Sequence, residues 1–386
     1  MKQTKSVPPE NAFQAMLVIF VVASAQTGIG LAVFQRFVYA YAKQDAWIAV
    51  IAAALFVHLT LFVILRTLRR YGTKDLFEIH HAVFGKWAGG ALNLVWMIYC
   101  FYALLMVTAT YYEILATYLF PEIPNWFVSA LLIILTVYTV SSGIRVIVGF
   151  CFFSIIISIP LLLVLYQIVP YMDLRHFFPP FEAAPMQVLR ASYEMSLSLA
   201  GFELIYFYYP YIKPQEQAGR YAQMGAGLTN AIFLFVILIS IGFFGGGDLL
   251  KSAWPTMSLY KVIKFPFLEQ VQVALLCIFM AAILPILCLY IWSLTKGLKK
   301  QFGVPQRQML LAVAGALFLA SLAFQTRQQI YNTGTLFNRF AFVMIFIYPY
   351  VLFVLSWIVG KVKERQKRRK QPGIAENSGE SMPFKG

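Results

Sequence analysis

Apolar residues run through this chain in uninterrupted blocks, each about 18 to 25 residues long, enough at 1.5 Å per helical residue to cross a hydrocarbon layer about 30 Å thick. A water-soluble fold has no interior that could hide so many of them. Composition agrees, because 60% of the residues are hydrophobic and 12% charged, about half the charged share of a soluble domain. Lipid is therefore the expected solvent, and an all-α membrane protein the expected fold class.

Ten spans can be placed, at 12–34, 47–68, 88–119, 126–141, 146–169, 188–209, 222–244, 267–294, 309–323 and 336–359. With the N-terminus inside, the inner segments hold 22 of the 31 Lys and Arg residues, which satisfies the excess of positive charge on the cytoplasmic side and puts both termini there. The organisation is then a cytoplasmic start at 1–11, a ten-helix permease-like domain at 12–359 and a cytoplasmic tail at 360–386. The first apolar stretch is too long for a signal-peptide core and lacks a small-residue cleavage site, so it is expected to remain in the mature chain.

The tail opens on a basic run from Lys361 to Lys370, which reads as a stop-transfer anchor or as a contact for anionic lipid or a protein partner. Its charge accounts for much of the net +15. Nucleic acid is not an expected partner, because no folded basic domain is present to read a groove. Residues 371–386 mix Pro, Gly, Ser and Glu and have the composition of a disordered end. Cys100, Cys151, Cys277 and Cys288 lie in apolar blocks without metal-ligand spacing, so neither a disulfide framework nor a metal site is expected. Nucleophile elbow, phosphate loop and dinucleotide fingerprint are missing as well, so the sequence predicts neither an enzyme nor a cofactor.

Two spans contain interruptions that a helix in lipid tolerates only where it lines a cavity, packs closely or binds something. They are Ala25-Gln26-Thr27-Gly28-Ile29-Gly30 in span one, and Ser196-Leu197-Ser198-Leu199-Ala200-Gly201 in span six, followed closely by Glu203. Spans one and six of ten are equivalent helices in a five-plus-five inverted repeat. Broken helices expose N–H groups that suit a carboxylate and carbonyls that suit an ammonium group. A zwitterionic amino acid would satisfy both.

Glu203 is costly at membrane depth if ionised and should face the bundle interior or be protonated, either as a functional group or as a hydrogen-bonding tie between helices. Glu113 and Glu194 lie nearer the outer face and read as structural. His58 in span two reads as a packing residue or a proton shuttle, so Glu203 and His58 are the candidates for proton coupling. The run Tyr206-Phe207-Tyr208-Tyr209-Pro210-Tyr211 reads either as a cation-binding wall or as an interfacial belt. Gly85-Lys86-Trp87-Ala88-Gly89 fits a helix-dimer spacing at a span boundary.

Further segments stand out beside the small-residue break in span one and Gly201-Phe202-Glu203 and Tyr209-Pro210 in span six: Trp254-Pro255-Thr256-Met257-Ser258-Leu259, Phe267-Leu268-Glu269, and Gly297-Leu298-Lys299-Lys300-Gln301-Phe302-Gly303. Together they resemble the spore germination permease family, the B subunits of nutrient germinant receptors, within the amino acid/polyamine/organocation superfamily. After Phe267-Leu268-Glu269 the chain departs from the family pattern of Arg and an acidic residue, with Gln270-Val271-Gln272 instead.

The resemblance implies about ten transmembrane helices in the LeuT-like inverted repeat with helices one and six broken. It implies the inner membrane of spores, and a complex with a membrane A subunit and a lipoprotein C subunit. A small germinant such as an amino acid would bind near the breaks, which makes Thr27, Gly28, Gly30, Ser198, Gly201 and Glu203 the ligand-site candidates. Residues 271–292 contain neither Ser nor Thr, so the hydroxyl-lined sodium site of the wider superfamily is not expected. Two functions use the same pocket: a ligand sensor that passes a population shift to partner subunits, and a stand-alone proton-coupled amino acid or polyamine transporter.

Overall fold

The computed structural model describes residues 8–118, 120–263, 271–324 and 326–370. Lys2, Lys5, the Phe267-Leu268-Glu269-Gln270 segment and residues 371–386 lie outside them. Span one consists of α1 (Val18–Gln26) and α2 (Gly30–Ala42), and span two is α3 (Ala46–Tyr71). Span three is the outer part of α4 (Leu76–Tyr118), and α5 (Asn125–Ser141) and α6 (Ile144–Val164) are spans four and five. Span six comprises α7 (Pro185–Met195), two 3-10 turns and α8 (Ile205–Tyr208). Span seven is α9 (Ala218–Lys251), and the short α10 (Pro255–Val262) leads to α11 (Val271–Phe302), which is span eight. Span nine is α12 (Gln306–Ser321), and α13 (Arg327–Phe342), a π-helical turn and α14 (Tyr348–Lys370) form span ten.

Within the described residues each expected span thus coincides with helical segments. Among those residues six helical stretches are long and apolar enough to cross a membrane by themselves. Two expectations differ in extent. Helix α4 begins twelve residues before the expected third span (88 less 76), because Asp75 and Glu78 form a reciprocal cap at its start. Gly85 then bends it at φ 81°, a value that favours glycine. The tenth span continues outward into polar α13, whose Thr326 accepts from the Gln329 amide.

The spacing from Gly85 to Gly89 serves this chain's own packing. A Cβ at Gly89 would stand 2.7 Å from the His80 carbonyl oxygen, so the inner segment of α4 folds back tightly on the start of span three.

Both ends of the two broken spans are stitched together. On the inner side, β1 (Phe13–Gln14) pairs in parallel with β2 (Ile212–Lys213), which joins the approach to span one to the exit of span six. On the outer side, the buried Asp45 carboxylate accepts the amides of Phe181 and Ala183 at 2.8 and 2.9 Å. The Gln44 amide group donates to the Pro179 carbonyl and to Glu182. The turn between spans one and two therefore clasps the segment that leads into span six.

Asp45→Ala would remove two hydrogen bonds accepted by a buried carboxylate, at about 1.5–3 kcal/mol each. The thermal midpoint of the purified protein should fall, and residues 178–184 should become sensitive to protease. An unchanged midpoint would mean that the clasp contributes nothing to holding the two spans.

Candidate functional site

The two breaks meet face to face. The residues from Thr27 to Ile29 leave the helical ladder between α1 and α2. Gly201 takes φ 119° between the two 3-10 turns of span six. A Cβ at Gly30 would lie 2.5 Å from the Ser198 Cα, and one at Gly201 would collide with the Ala25 carbonyl oxygen. Each glycine is required by the backbone of the other span. Gln26 completes the contact by donating from Nε2 to the Leu199 carbonyl at 2.8 Å.

Glu203 closes the break in span six from within. Its Oε2 accepts the Gly201 amide at 2.7 Å, and its Oε1 accepts the hydroxyls of Tyr99 and Tyr290 at 2.7 and 2.9 Å. The side chain is fully buried. Three converging donors satisfy the carboxylate without a cation. Because Tyr99 is on span three and Tyr290 on span eight, Glu203 is also the mid-depth tie between the broken helices and the helices that face them.

The predicted site residues divide accordingly. Gly30, Ser198, Gly201 and Glu203 come together at the junction, while Thr27 and Gly28 lie in the break of span one beside it. Thr27 turns its hydroxyl back to the Ala23 carbonyl at 2.8 Å, and a Cβ at Gly28 would meet Ile286 at an ordinary 3.6 Å. His58 belongs elsewhere. It pairs with the Gln223 side chain, which also donates to the His58 carbonyl, and so binds α3 to α9.

Sequence reasoning missed the inner closure. Lys296, toward the C-terminal end of α11, is buried and donates to Asp75 Oδ2 and to the Phe207 carbonyl, both at 2.9 Å. Its ammonium also lies 4.5 and 4.9 Å from the rings of Tyr211 and Trp292. Lys300 reaches the same Asp75 oxygen at 2.6 Å. The aromatic run of span six is indeed a cation-binding wall at Tyr211, but the cation is the protein's own lysine. Tyr206 to Tyr209 are buried in the core rather than set in an interfacial belt. Nearer the outside, Glu113 forms an ion pair with Arg327 at 3.0 Å, in keeping with its structural reading.

Helical spans with two facing breaks and an internal carboxylate tie define a transporter-type fold. The chain belongs to the spore germination permease family: the family model described as spore germination protein matches residues 13–330.

Among relatives, spore germination protein GerQB of Bacillus cereus is 27% identical over 94% of this chain and all of its own length. Spore germination protein A2 of Bacillus subtilis (strain 168) is 23% identical over 92% of this chain and 97% of its own. Of solved structures, MhsT in complex with L-phenylalanine matches with a TM-score of 0.60 at 14% identity, covering 88% of this chain and 87% of that one. A Na+-coupled sialic acid symporter in a substrate-bound outward-open state gives 0.64 at 12% identity, covering 90% and 82%. Both are similar in fold, which is the LeuT-type inverted repeat with helices one and six broken.

Burial pushes the Asp75 carboxyl up, but the ammonium groups of Lys296 and Lys300 outweigh it and hold the group below the usual carboxylate range. A carboxyl lowered in the folded state contributes stability that is present above its unfolded pKa and lost as pH falls through the folded one. Thermal stability should therefore carry a component that disappears below about pH 4. Asp75→Asn should lack that component and, by leaving the Lys296 ammonium buried without its partner, lose about 3–5 kcal/mol at neutral pH. Equal pH profiles for the two proteins would contradict this closure.

Proposed function

We propose that the paired breaks are the nutrient site of a germinant receptor subunit and that occupancy of this site triggers germination. The chain is the B-type membrane subunit, placed in the spore inner membrane with both termini in the cytoplasm. The basic start at 1–11 and the tail at 360–386 flank the permease-like domain. Its partners are a membrane A subunit and a lipoprotein C subunit, and it carries out no covalent chemistry.

The observation that carries the reading is the Gly201 amide, released by the break and answered by Glu203 at 2.7 Å. An amino acid brings the same chemistry as a ligand. Its carboxylate replaces that of Glu203 at the Gly201 amide. Glu203, thus displaced, faces the ligand's ammonium. Displacement also releases Tyr99 and Tyr290, so the bound state differs from the resting state in how spans one and six hold spans three and eight. A ligand that favours one arrangement shifts the population toward it, and partner subunits read that shift. Gly30 and Ser198 keep the two backbones in close contact, Gly28 leaves ordinary space toward Ile286, and Thr27 fixes the first turn of the break.

A stand-alone proton-coupled transporter would use the same pocket. The separation of His58 from Glu203 gives such a reading no ready proton relay, and the family resemblance to germination proteins favours the receptor.

Spores lacking this protein, complemented with the intact chain or with Gly28→Trp, provide the test. The intact chain should restore the response to one nutrient class, and the filled variant, present at equal level, should not. Normal germination without the protein, together with reduced amino acid uptake in growing cells, would replace the receptor by the transporter.

A further inference from the structure

A cavity lies beside the break in span one. Its walls come from spans one, five, seven and eight and from α10, including Thr27, Leu31, Leu162, Ile232, Phe279 and Ala282. Among the described residues, spans three and six contribute nothing to it, so it is separate from the junction around Glu203.

The chemistry of the walls excludes a polar occupant. No charged side chain lines the cavity. Its hydroxyl groups are already committed to backbone carbonyls: Thr27 to Ala23 at 2.8 Å, Ser158 to Ser154 at 2.7 Å, Thr256 to Leu31 at 2.6 Å and Tyr260 to Leu161 at 3.0 Å. An amino acid or a headgroup placed here would give up its hydration without compensation. An alkyl chain has no hydrogen bonds to lose.

The surroundings identify the source of such a chain. Ile159 and Leu228 belong to the lining and are also exposed on the outer surface of the helices. Ile156, Ile157 and Leu163 beside them are exposed as well. At membrane depth that surface faces lipid, so the cavity is continuous with the bilayer interface. We propose that an acyl chain of a membrane lipid enters between spans five and seven and occupies this cavity. Because the cavity touches both Thr27 and Leu31, the chain end braces α2 against α10 and α11 and sets how easily the outer half of span one moves. This inference is independent of which nutrient binds at the junction.

The test uses the full chain in phosphatidylcholine nanodiscs containing lipid with a diazirine at the end of one acyl chain, with labelled residues mapped by mass spectrometry. A matched lipid with the diazirine in its headgroup is the control. The chain-end probe should label Leu162, Ile232 and Phe279 several-fold more than the exposed Leu55 and Leu59 on α3. Ala282→Phe should remove that excess and leave Leu55 and Leu59 unchanged. Ile232→Phe fills the cavity from another wall, read at Leu162 and Phe279, and serves if the first variant does not fold. Equal labelling of cavity and α3, or an excess that survives both filling variants, would overturn the proposal. So would headgroup labelling as strong as chain-end labelling. Labelling by a free diazirine hydrocarbon but not by the lipid would assign the cavity to a solute and contradict the lipid assignment.

Discussion

A peptide group inside a bilayer must find its hydrogen bond within the protein, and the rest of this structure depends on how that demand is met where two helices stop. Span six breaks at Gly201, and Glu203 answers the released amide while Gln26 from span one answers the Leu199 carbonyl. The buried carboxylate then needs further donors, and spans three and eight supply them through Tyr99 and Tyr290. One broken turn thereby specifies contacts among four helices.

The mechanical consequence is a division of the fold. Spans one and six are fastened to each other inside by the β1–β2 pair and outside by the Asp45 clasp. His58 and Gln223 join spans two and seven. Against this set, span eight packs on span three. The polar ties between the two sets are concentrated at Glu203 and at Lys296. The Lys296 tie is an ion pair beneath aromatic rings. The Glu203 tie is a set of hydrogen bonds, the kind of contact that the carboxylate of the proposed ligand would replace.

Much of the fold was legible in the sequence because lipid imposes simple rules on length and polarity. Blocks of apolar residues placed ten spans, and the Gly-rich stretches placed both breaks in spans one and six. The junction residues followed, since Gly30 and Gly201 are needed for contacts that any Cβ would obstruct. Tyr99 and Tyr290 were not legible: each is one aromatic residue within a long apolar helix, and only the packing of three spans brings their hydroxyls to Glu203. Lys296 left a fainter signal, as a lysine four residues beyond Trp292 at the end of an apolar run. Its charge read as part of the cytoplasmic excess, whereas burial and Asp75 make it a structural ion. The acidic partner lies more than 200 positions away in the chain, beyond the reach of local spacing.

The central claim is that the Glu203 tie holds the resting arrangement and that ligand binding releases it. Its most direct test is the nutrient concentration giving half-maximal germination in spores carrying Tyr99→Phe, which removes one hydroxyl from the carboxylate and leaves the ring. A hydrogen bond to a charged group contributes about 1.5–3 kcal/mol, so weakening the resting state should lower that concentration by about tenfold or more, at equal protein level. An unchanged or raised half-maximal concentration would contradict the account.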